Sequence, residues 1–182
     1  MEQFERISRD LVHKGAIIDY YQDTIKVPNG NVVKWDFIKH KGAAAVIPVT
    51  NDGKILMVRQ YRNALERETL EIPAGGLNLD VNGACEPTYD AALRELEEET
   101  GYKSSNVELL ITIRTTVAFC DEKIDIYVAH DLEKSHQNLD EDEYIDVYEY
   151  SIEELLDMIY SGKIEDSKTV SGLMSYYNKY CR

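Results

Sequence analysis

The sequence contains few cysteines, and their spacing is not typical of metal or disulfide chemistry. The three cysteines are odd in number and widely separated, at Cys85, Cys120 and Cys181. No Cys-x-x-Cys pair and no histidine cluster is present, so we expect neither a structural zinc site nor a disulfide framework. Thiol and imidazole groups therefore do not indicate the function.

Long apolar runs and positive charge are also scarce. The longest apolar stretch, residues 43–49, is far too short to cross a membrane. Charged residues close to the start, among them Glu5, Arg6 and Arg9, are not typical of a signal peptide, so we expect a soluble, cytoplasmic protein. The 34 acidic residues outnumber the 20 basic ones, which argues against a nucleic-acid partner. A small phosphorylated substrate stays compatible with this charge, because divalent cations can bridge carboxylates to phosphates.

The pattern of short strands and few helices predicts a mixed α+β fold. Residues 16–26 and 32–39 are rich in β-branched and aromatic residues, and the turn at 28–31 joins them into a β-hairpin. Further strands are predicted at residues 43–50, 54–59, 69–72, 107–114, 123–129 and 145–150. Helices are predicted at residues 88–100, after the capping box of Ser151 and Glu154, and at residues 167–180. We therefore expect an N-terminal hairpin region over residues 1–40 and a main domain over residues 41–182.

An unusual cluster of acids lies on the predicted helix that ends before Gly101. At about 100° per residue, Glu95, Glu98 and Glu99 fall within one arc of this helix. The neighbouring arc can pack on a sheet, since it carries Ala92, Leu93, Leu96 and Thr100. Carboxylates at this spacing repel one another, and a divalent cation with oxygen ligands would offset that repulsion. The alternative for the helix alone is an ordinary solvated run of glutamates.

The context of this helix resembles the signature of the Nudix hydrolase family. Residues 94–102, Arg-Glu-Leu-Glu-Glu-Glu-Thr-Gly-Tyr, match the second half of that signature at every fixed position. Glu86 lies at the required seven-residue gap before Arg94. The first half departs from the family, because nine residues separate Gly76 from Glu86 where the family has five. We interpret residues 77–85 as carrying a four-residue insertion that could reshape the mouth of the pocket.

The resemblance implies an α/β/α sandwich with a mixed sheet and assigns roles to individual residues. Glu98 and Glu99 would be the principal metal ligands, with Glu95 completing the cluster and contributing to catalysis. The backbone carbonyl of Ala74 would be a further ligand. Two residues would support this cluster, namely Arg94 and Glu86. The expected cofactor is Mg²⁺, with Mn²⁺ as a substitute, because the metal neutralises a diphosphate and activates a water.

Other segments resemble the ADP-ribose pyrophosphatase branch of the family. They are residues 59–62, 68–75 and 162–169. This resemblance implies that Arg62 contacts the phosphate or ribose region of the substrate and that Glu71 lies in the same pocket. A surface ion pair is the alternative for Arg62. The implied reaction converts ADP-ribose to AMP and ribose 5-phosphate.

In the same branch, an acidic loop late in the chain supplies the general base. Glu141 and Glu143 lie in such a loop, just before the strand predicted at residues 145–150. We favour Glu141 as the base, with Glu143 as an alternative base or an additional metal contact. A solvated acidic turn is the alternative for both, and spacing does not decide between them.

The segment 117–122 departs from the branch. ADP-ribose enzymes usually have a Pro-Gly-Phe-like stretch about sixteen residues after the glycine of the signature, and here Val117-Ala118-Phe119 stands in that region. The loop near the terminal ribose can therefore differ in shape. Other substrates stay open, namely another nucleotide sugar, a dinucleotide or a nucleoside triphosphate. A non-catalytic nucleotide sensor is a distant alternative, because such a protein would not need the complete acidic cluster.

The N-terminal hairpin is not required in a minimal domain of this family. In the branch that it resembles, homodimers often form through N-terminal strands, and an aromatic residue stacks on adenine. Trp35 is the main candidate for that stacking, with Tyr20 or Tyr21 as others. Packing in the core or at an interface is the alternative for each of them. We therefore expect a homodimer that acts on a small nucleotide-sugar substrate.

Overall fold

A computed structural model describes residues 3–139, 141 and 143–182, and these form two compact units. The first consists of residues 3–42 and the segment Arg114–Lys123. The second consists of Ala43–Ile113 and Ile124–Arg182. Within the described part of the chain, no helix is long and apolar enough to cross a membrane.

The first unit contains a three-stranded antiparallel sheet in the order β1-β2-β3. Its strands are β1 (Glu5–Lys14), β2 (Asp19–Lys26) and β3 (Val32–Lys39). The predicted N-terminal hairpin is confirmed as β2 and β3, which pair from Asp19 opposite Lys39 to Lys26 opposite Val32. Strand β1 was not expected, because its many charged residues obscure the alternation that marks a strand. It pairs with β2 through a register that shifts at two points.

A partly buried ion pair connects the strands of this sheet. The guanidinium of Arg9 donates from Nε and Nη2 to the two carboxylate oxygens of Asp23, at 2.7 and 2.6 Å. The same guanidinium lies 3.5 Å from the centre of the Phe37 ring, within cation–π range. Hydrogen bonding to Arg9 lowers the pKa of the Asp23 carboxyl. One side chain from each strand thus joins β1, β2 and β3.

Among the described residues, the second unit contains three sheets and three helices. Strands β4 (Ala43–Pro48), β7 (Ala74–Gly76), β9 (Asn106–Arg114) and β10 (Lys123–His130) form a sheet in the order β7-β4-β10-β9. Strands β5 (Ile55–Arg62), β6 (Arg67–Glu71) and β12 (Ile145–Tyr150) form a sheet in the order β12-β5-β6. Two short strands, β8 (Tyr102–Lys103) and β11 (Glu133–Lys134), pair with each other. The sheet β7-β4-β10-β9 is mixed, since β4 runs parallel to β10 and antiparallel to β7.

Helices cover both faces of the mixed sheet. Helix α1 (Thr88–Thr100) packs on one face, where its Leu96 joins an apolar cluster with Ala44 and Val46 of β4. Helices α2 (Ile152–Tyr160) and α3 (Ser167–Tyr180) join the larger cluster on the other face. The alternating residues of β4 serve both clusters, since successive side chains of a strand point to opposite faces. The predicted α/β/α arrangement is confirmed.

The local signals for helix ends are confirmed as well. Gly101 follows α1 with φ 71°, the left-handed conformation that ends many helices. The hydroxyl of Ser151 accepts a hydrogen bond from the backbone of Glu154, whose side chain accepts one in return from the backbone of Ser151. Helix α3 begins after Asp166, which accepts a hydrogen bond from the backbone of Thr169 at 3.0 Å. These ends depend on neighbouring residues only, which explains why the sequence predicts them.

Candidate active site

The acidic arc of α1 is largely buried. Glu95 and Glu99 are 8% and 4% exposed, whereas the side chain of Glu98 is 34% exposed. Glu97 points away from this arc and accepts a hydrogen bond from the hydroxyl of Ser135. Two carboxylates that are this deeply buried require either a proton, a hydrogen-bond donor or a cation.

Arg94 joins the acids of this region. Its Nη1 donates to Oε1 of Glu95 at 2.6 Å and to Oε2 of Glu98 at 2.8 Å. Its Nη2 donates to Oε1 of Glu86 at 2.7 Å. A single guanidinium therefore orients three carboxylates. This arrangement agrees with the supporting role that the family resemblance implies for Arg94 and Glu86.

Strand β7 approaches the same arc from the side. The backbone N–H of Ala74 donates to Oε2 of Glu99 at 3.0 Å. A Cβ atom added to Gly75 would lie 1.9 Å from Oε1 of Glu95. A side chain at this position would therefore displace the Glu95 carboxylate, a constraint that the tight turn alone does not impose. Ala74, Glu95 and Glu99 lie together, and their binding of a metal stays a prediction.

Burial raises the pKa of both inner carboxyls. The pKa of Glu95 rises to about 7, mainly through burial, although Arg94 opposes the shift. The pKa of Glu99 rises to about 8 through burial and the charge of Glu95. The charge of Glu143 contributes to the rise at both residues. The hydrogen bonds and positive charges of the protein itself therefore do not fully offset the cost of burying the two ionised carboxylates.

The donor set fits a hard divalent cation, although the side chains are not grouped as a finished metal site. Across the described ranges, no three acidic, histidine or cysteine side chains converge on one point. Arg94 holds Glu95 and Glu98, while Glu99 is held by Ala74. A cation that bound to these oxygens would lower the raised pKa values of Glu95 and Glu99. Buried, under-compensated carboxylates are the observation that supports such binding.

A second charged cluster surrounds Glu71, at the end of β6. The guanidinium of Arg62 donates to both carboxylate oxygens of Glu71, at 2.7 and 2.5 Å. The hydroxyl of Thr69 donates to the same carboxylate at 2.6 Å, and Nζ of Lys168 also contacts it. These donors lower the pKa of Glu71 to about 2 despite its burial. Arg62 thus takes part in a buried network, which differs from an ordinary surface ion pair.

Sequence reasoning did not assign a role to Lys168. It lies in the segment 162–169, which resembles the ADP-ribose branch, but no local pattern relates it to Glu71. The side chains meet because the first turn of α3 packs against the end of β6, 97 residues earlier in the chain. The one signal in the sequence is that Lys168 closely follows Asp166, the N-cap of the helix. This position could have indicated that the lysine side chain faces the interior.

A cavity of 460 Å³ opens beside this second cluster. It is lined by charged side chains and by a smaller number of apolar ones, namely Arg62, Ala64, Leu65, Arg67, Thr69, Leu70, Glu71, Lys163, Glu165 and Asp166. The charges of Glu99 and Asp166 both contribute to the raised pKa of Arg62. Arg62, which lines the cavity, therefore interacts electrostatically with Glu99 of the acidic helix.

The two candidate bases precede β12 and are exposed. Glu143 lines a small cavity of 220 Å³ with Gln60, Tyr61, Tyr144 and Ile145. Its negative charge adds to the raised pKa values of Glu95 and Glu99, which are caused mainly by burial. Glu141 lies in a turn two residues before it. Of the two candidate bases, Glu143 is therefore the one for which the structure describes an electrostatic interaction with Glu95 and Glu99.

One part of the chain matches a known family, and it includes the acidic helix, the β7 turn and the Arg62 cluster. A family model described as the NUDIX domain matches residues 39–171. The chain belongs to the Nudix hydrolase family.

Curated relatives match nearly the whole chain. An ADP-ribose pyrophosphatase of Bacillus subtilis is 40% identical over 90% of this chain and 86% of its own length. A methanol dehydrogenase activator of Bacillus methanolicus is 43% identical over 90% of this chain and 87% of its own. An ADP-ribose pyrophosphatase of Mycobacterium tuberculosis is 34% identical over 96% and 83%, respectively. Divalent metal dependence is general among Nudix hydrolases.

A solved structure supports the fold independently. The crystal structure of an ADP compounds hydrolase has a TM-score of 0.84 and covers 98% of this chain and 94% of its own. Its sequence identity of 20% is low, so the likeness concerns the Nudix fold alone.

The insertion in the Nudix signature forms a small hairpin. Leu79 bridges to Cys85 across a turn in which Oδ1 of Asp80 accepts hydrogen bonds from the backbone of Asn82 and Ala84, both at 2.8 Å. At its base, the backbone N–H of Asn78 donates to Glu86 at 2.8 Å. The insertion therefore leaves Glu86 in contact with Arg94, and the helix of the signature is intact.

The predicted stacking residue Trp35 lies in the first unit. It lines a cavity of 610 Å³ with Tyr20, Asp36, Ile38, Ala118 and Phe119. The segment that replaces the Pro-Gly stretch of the branch is held against β3, because the backbone of Ile38 donates to Phe119 at 2.7 Å. Half of the Trp35 surface is exposed, and the ring of Phe4 lies 5.9 Å away. Its contact with a substrate stays a prediction.

Proposed function

We propose that this Nudix hydrolase cleaves the diphosphate of ADP-ribose to give AMP and ribose 5-phosphate, with Mg²⁺ as its metal and Mn²⁺ as a substitute. The observation that carries the proposal is the pair of buried carboxylates, Glu95 and Glu99, beside the β7 turn at Ala74. The names of the Bacillus subtilis and Mycobacterium tuberculosis relatives favour ADP-ribose among diphosphate substrates.

The residues that would hold the metal are Glu95, Glu98 and Glu99, together with the carbonyl of Ala74. When bound, a divalent cation supplies charge neutralisation for the diphosphate and lowers the pKa of a coordinated water. Arg94 orients Glu95 and Glu98 through its Nη1, and Glu86 anchors the other end of the same guanidinium. This division separates the metal-binding residues from those that support them.

A carboxylate outside the helix accepts the proton from the attacking water. We propose Glu143 for this role, because its charge acts on both Glu95 and Glu99. Glu141, which the sequence favoured, is then the alternative. The oxygen of the water forms a bond to phosphorus, and the bond from phosphorus to the bridging oxygen breaks. That oxygen leaves with the second phosphate, so one water is consumed for each pair of products.

Arg62 and Glu71 contribute to substrate binding. Glu71 uses Nε and Nη2 of Arg62, which leaves Nη1 for a phosphate or ribose oxygen of the substrate. The Arg62 side chain is 41% exposed and lines the 460 Å³ cavity. In this proposal Glu71 orients Arg62 and does not bind the metal.

We further propose a cytoplasmic homodimer that contacts its partner copy through the N-terminal region, residues 1–40. Large apolar side chains are exposed on this region, namely Phe4, Ile7, Leu11, Val12, Ile17, Ile18, Val32 and Trp35. Exposed apolar surface of this kind favours a protein partner. Light scattering of the wild type and of a Leu11→Asp variant measures the assembly directly, and a monomeric wild type would contradict the dimer.

The main experiment measures hydrolysis of ADP-ribose in Mg²⁺ and identifies the products. Wild type should release AMP and ribose 5-phosphate, and Glu98→Gln should lower kcat by roughly 100-fold or more. Glu97→Gln is the matched control, because this neighbour contacts Ser135 and lies outside the acidic arc. If wild type leaves ADP-ribose intact, other nucleotide sugars, dinucleotides and triphosphates follow as substrates. Failure of all of them with Mg²⁺ and with Mn²⁺ would favour the non-catalytic sensor.

A second candidate function is the activation of a dehydrogenase. The 43% identical relative from Bacillus methanolicus carries the name methanol dehydrogenase activator. Adding this protein to purified methanol dehydrogenase and measuring the oxidation rate tests this candidate. If the rate rises with wild type but not with Glu98→Gln, activation uses the same acidic site. An unchanged rate with both proteins excludes activation of that dehydrogenase.

A further inference from the structure

The carboxylate of Glu71 is the centre of a network that the Nudix signature does not include. Its residue is 2% exposed and receives hydrogen bonds from Arg62, Thr69 and Lys168. A buried carboxylate without such partners would be strongly unfavourable. Two of the three donors are cations, Arg62 and Lys168. The second cation also pairs with a second carboxylate, that of Asp166, so the cluster holds two positive and two negative groups.

Lys168 reaches Glu71 from a fixed position at the start of α3. It is 7% exposed, and its Nζ also donates to Asp166 at 2.9 Å. Asp166 caps the helix by accepting from the backbone of Thr169. The hydroxyl of Thr169 accepts in turn from the backbone N–H of Ile72 at 3.0 Å. The first turn of α3 is thus attached to two successive residues of the chain that leads to Ala74.

We infer that Lys168 is a positioning residue for Arg62: by binding the same carboxylate of Glu71 it holds the guanidinium in place, and its charge offsets that of Asp166 so that Arg62 stays available to an anionic substrate. Without Lys168, Arg62 would be the one cation beside the two carboxylates of Glu71 and Asp166, and this cluster would carry a net negative charge. With Lys168 present, Glu71 still fixes two edges of the guanidinium and the four charges of the cluster balance. The exposed side chain of Arg62 then attracts a diphosphate more strongly.

This inference rests on the proposed function only in naming Arg62 as a substrate contact. The position of Lys168 predicts a specific kinetic effect. Arg62 lies outside the acidic arc, so its loss of order should weaken the binding of the substrate and of the transition state alike. Such a loss raises KM and leaves kcat nearly unchanged.

The test compares three lysine variants for hydrolysis of ADP-ribose. Lys168→Met removes the charge but retains a side chain of similar length, and Lys168→Arg retains the charge. Lys179→Met is the matched control, because Lys179 is an exposed lysine near the other end of α3. We expect Lys168→Met to raise KM on the order of tenfold with kcat changed less than about threefold. Lys168→Arg should recover most of the effect, and Lys179→Met should behave as wild type.

A second measurement does not depend on catalysis. The Nε–H signal of Arg62 in a ¹H–¹⁵N NMR spectrum, assigned with Arg62→Lys, reports how firmly the guanidinium is held. We expect slow proton exchange at this N–H in wild type and Lys179→Met, and faster exchange in Lys168→Met. If Lys168→Met does not fold, Lys168→Gln, which keeps a hydrogen-bond donor without the charge, takes its place in both measurements.

The outcomes separate this inference from the proposed function. If wild type does not hydrolyse ADP-ribose, the proposed substrate is wrong, but the Arg62 signal still tests the role of Lys168. Unchanged exchange at Arg62 in the folded charge-loss variant overturns the inference. It is also overturned if KM stays at the wild-type value, or if Lys168→Arg is as impaired as Lys168→Met, since packing alone would then explain the residue.

Discussion

Gly75 and Glu95 are in such close contact that a single methyl group on the glycine would lie 1.9 Å from a carboxylate oxygen of the glutamate. The nearest atoms all belong to the end of the Glu95 side chain, which can move. The backbone at Gly75 does not adopt the left-handed conformation. An alanine there should therefore displace the carboxylate and leave the fold largely intact.

The first prediction follows from this contact. Gly75→Ala should reduce kcat for ADP-ribose by roughly tenfold or more, because it moves Glu95 from its place beside Glu99. The midpoint of thermal unfolding should change little. Gly76→Ala provides the comparison, since an added Cβ at Gly76 meets no atom within 4 Å. Equal activity of the two variants would show that the position of Glu95 does not matter for the rate.

The second prediction concerns metal binding and its dependence on pH. Burial raises the pKa of Glu95 to about 7 and that of Glu99 to about 8. Protons therefore compete with the metal, and Mg²⁺ should raise the unfolding temperature more at pH 8.5 than at pH 6. Differential scanning fluorimetry with and without Mg²⁺ measures this difference. The increase should be smaller in Glu98→Gln and unchanged in Glu97→Gln, and an increase independent of pH would contradict the role of the buried pair.

The third prediction concerns stability at low pH. Partners lower the pKa of Glu71 from 4.5 to about 2. A lowered pKa stabilises the folded state above the unfolded value, and this stabilisation is lost as the pH falls from about 4.5 through about 2. Urea unfolding of wild type should therefore show a steeper loss of stability between these values than Glu71→Gln does. Parallel pH profiles for the two proteins would exclude Glu71 as a contributor.

The fourth prediction concerns the attachment of α3 to the end of β6. Thr169→Val keeps the shape of a fully buried side chain but leaves the backbone N–H of Ile72 without its acceptor. We expect a loss of about 1–3 kcal/mol in the free energy of unfolding. Urea denaturation measures it, with Ser167→Ala as the control at an exposed hydroxyl two residues earlier. A loss as small as that of the control would mean that water or another group replaces the threonine.

The sequence by itself determined the features that depend on neighbouring residues. Helix α1 and the arc of Glu95 and Glu99 follow from a repeat of 3.6 residues, and the end of the helix at Gly101 follows from a local turn. The same is true of the cap at Ser151. The spacing from Glu86 to Arg94, together with the helix, was sufficient to recognise the family. The insertion lies before Glu86 and therefore leaves this part of the signature unchanged.

Only the tertiary structure decided which distant groups meet. Lys168 and Glu71 are 97 residues apart, and strand β1 has its partner in β2 despite a pattern dominated by charge. The choice between Glu141 and Glu143 likewise depends on which of them approaches α1. Local sequence restricts the backbone conformation of each segment, but contacts between segments depend on how the sheets and helices pack. For this reason the acidic helix could be predicted from the sequence, whereas the lysine that positions Arg62 required the fold.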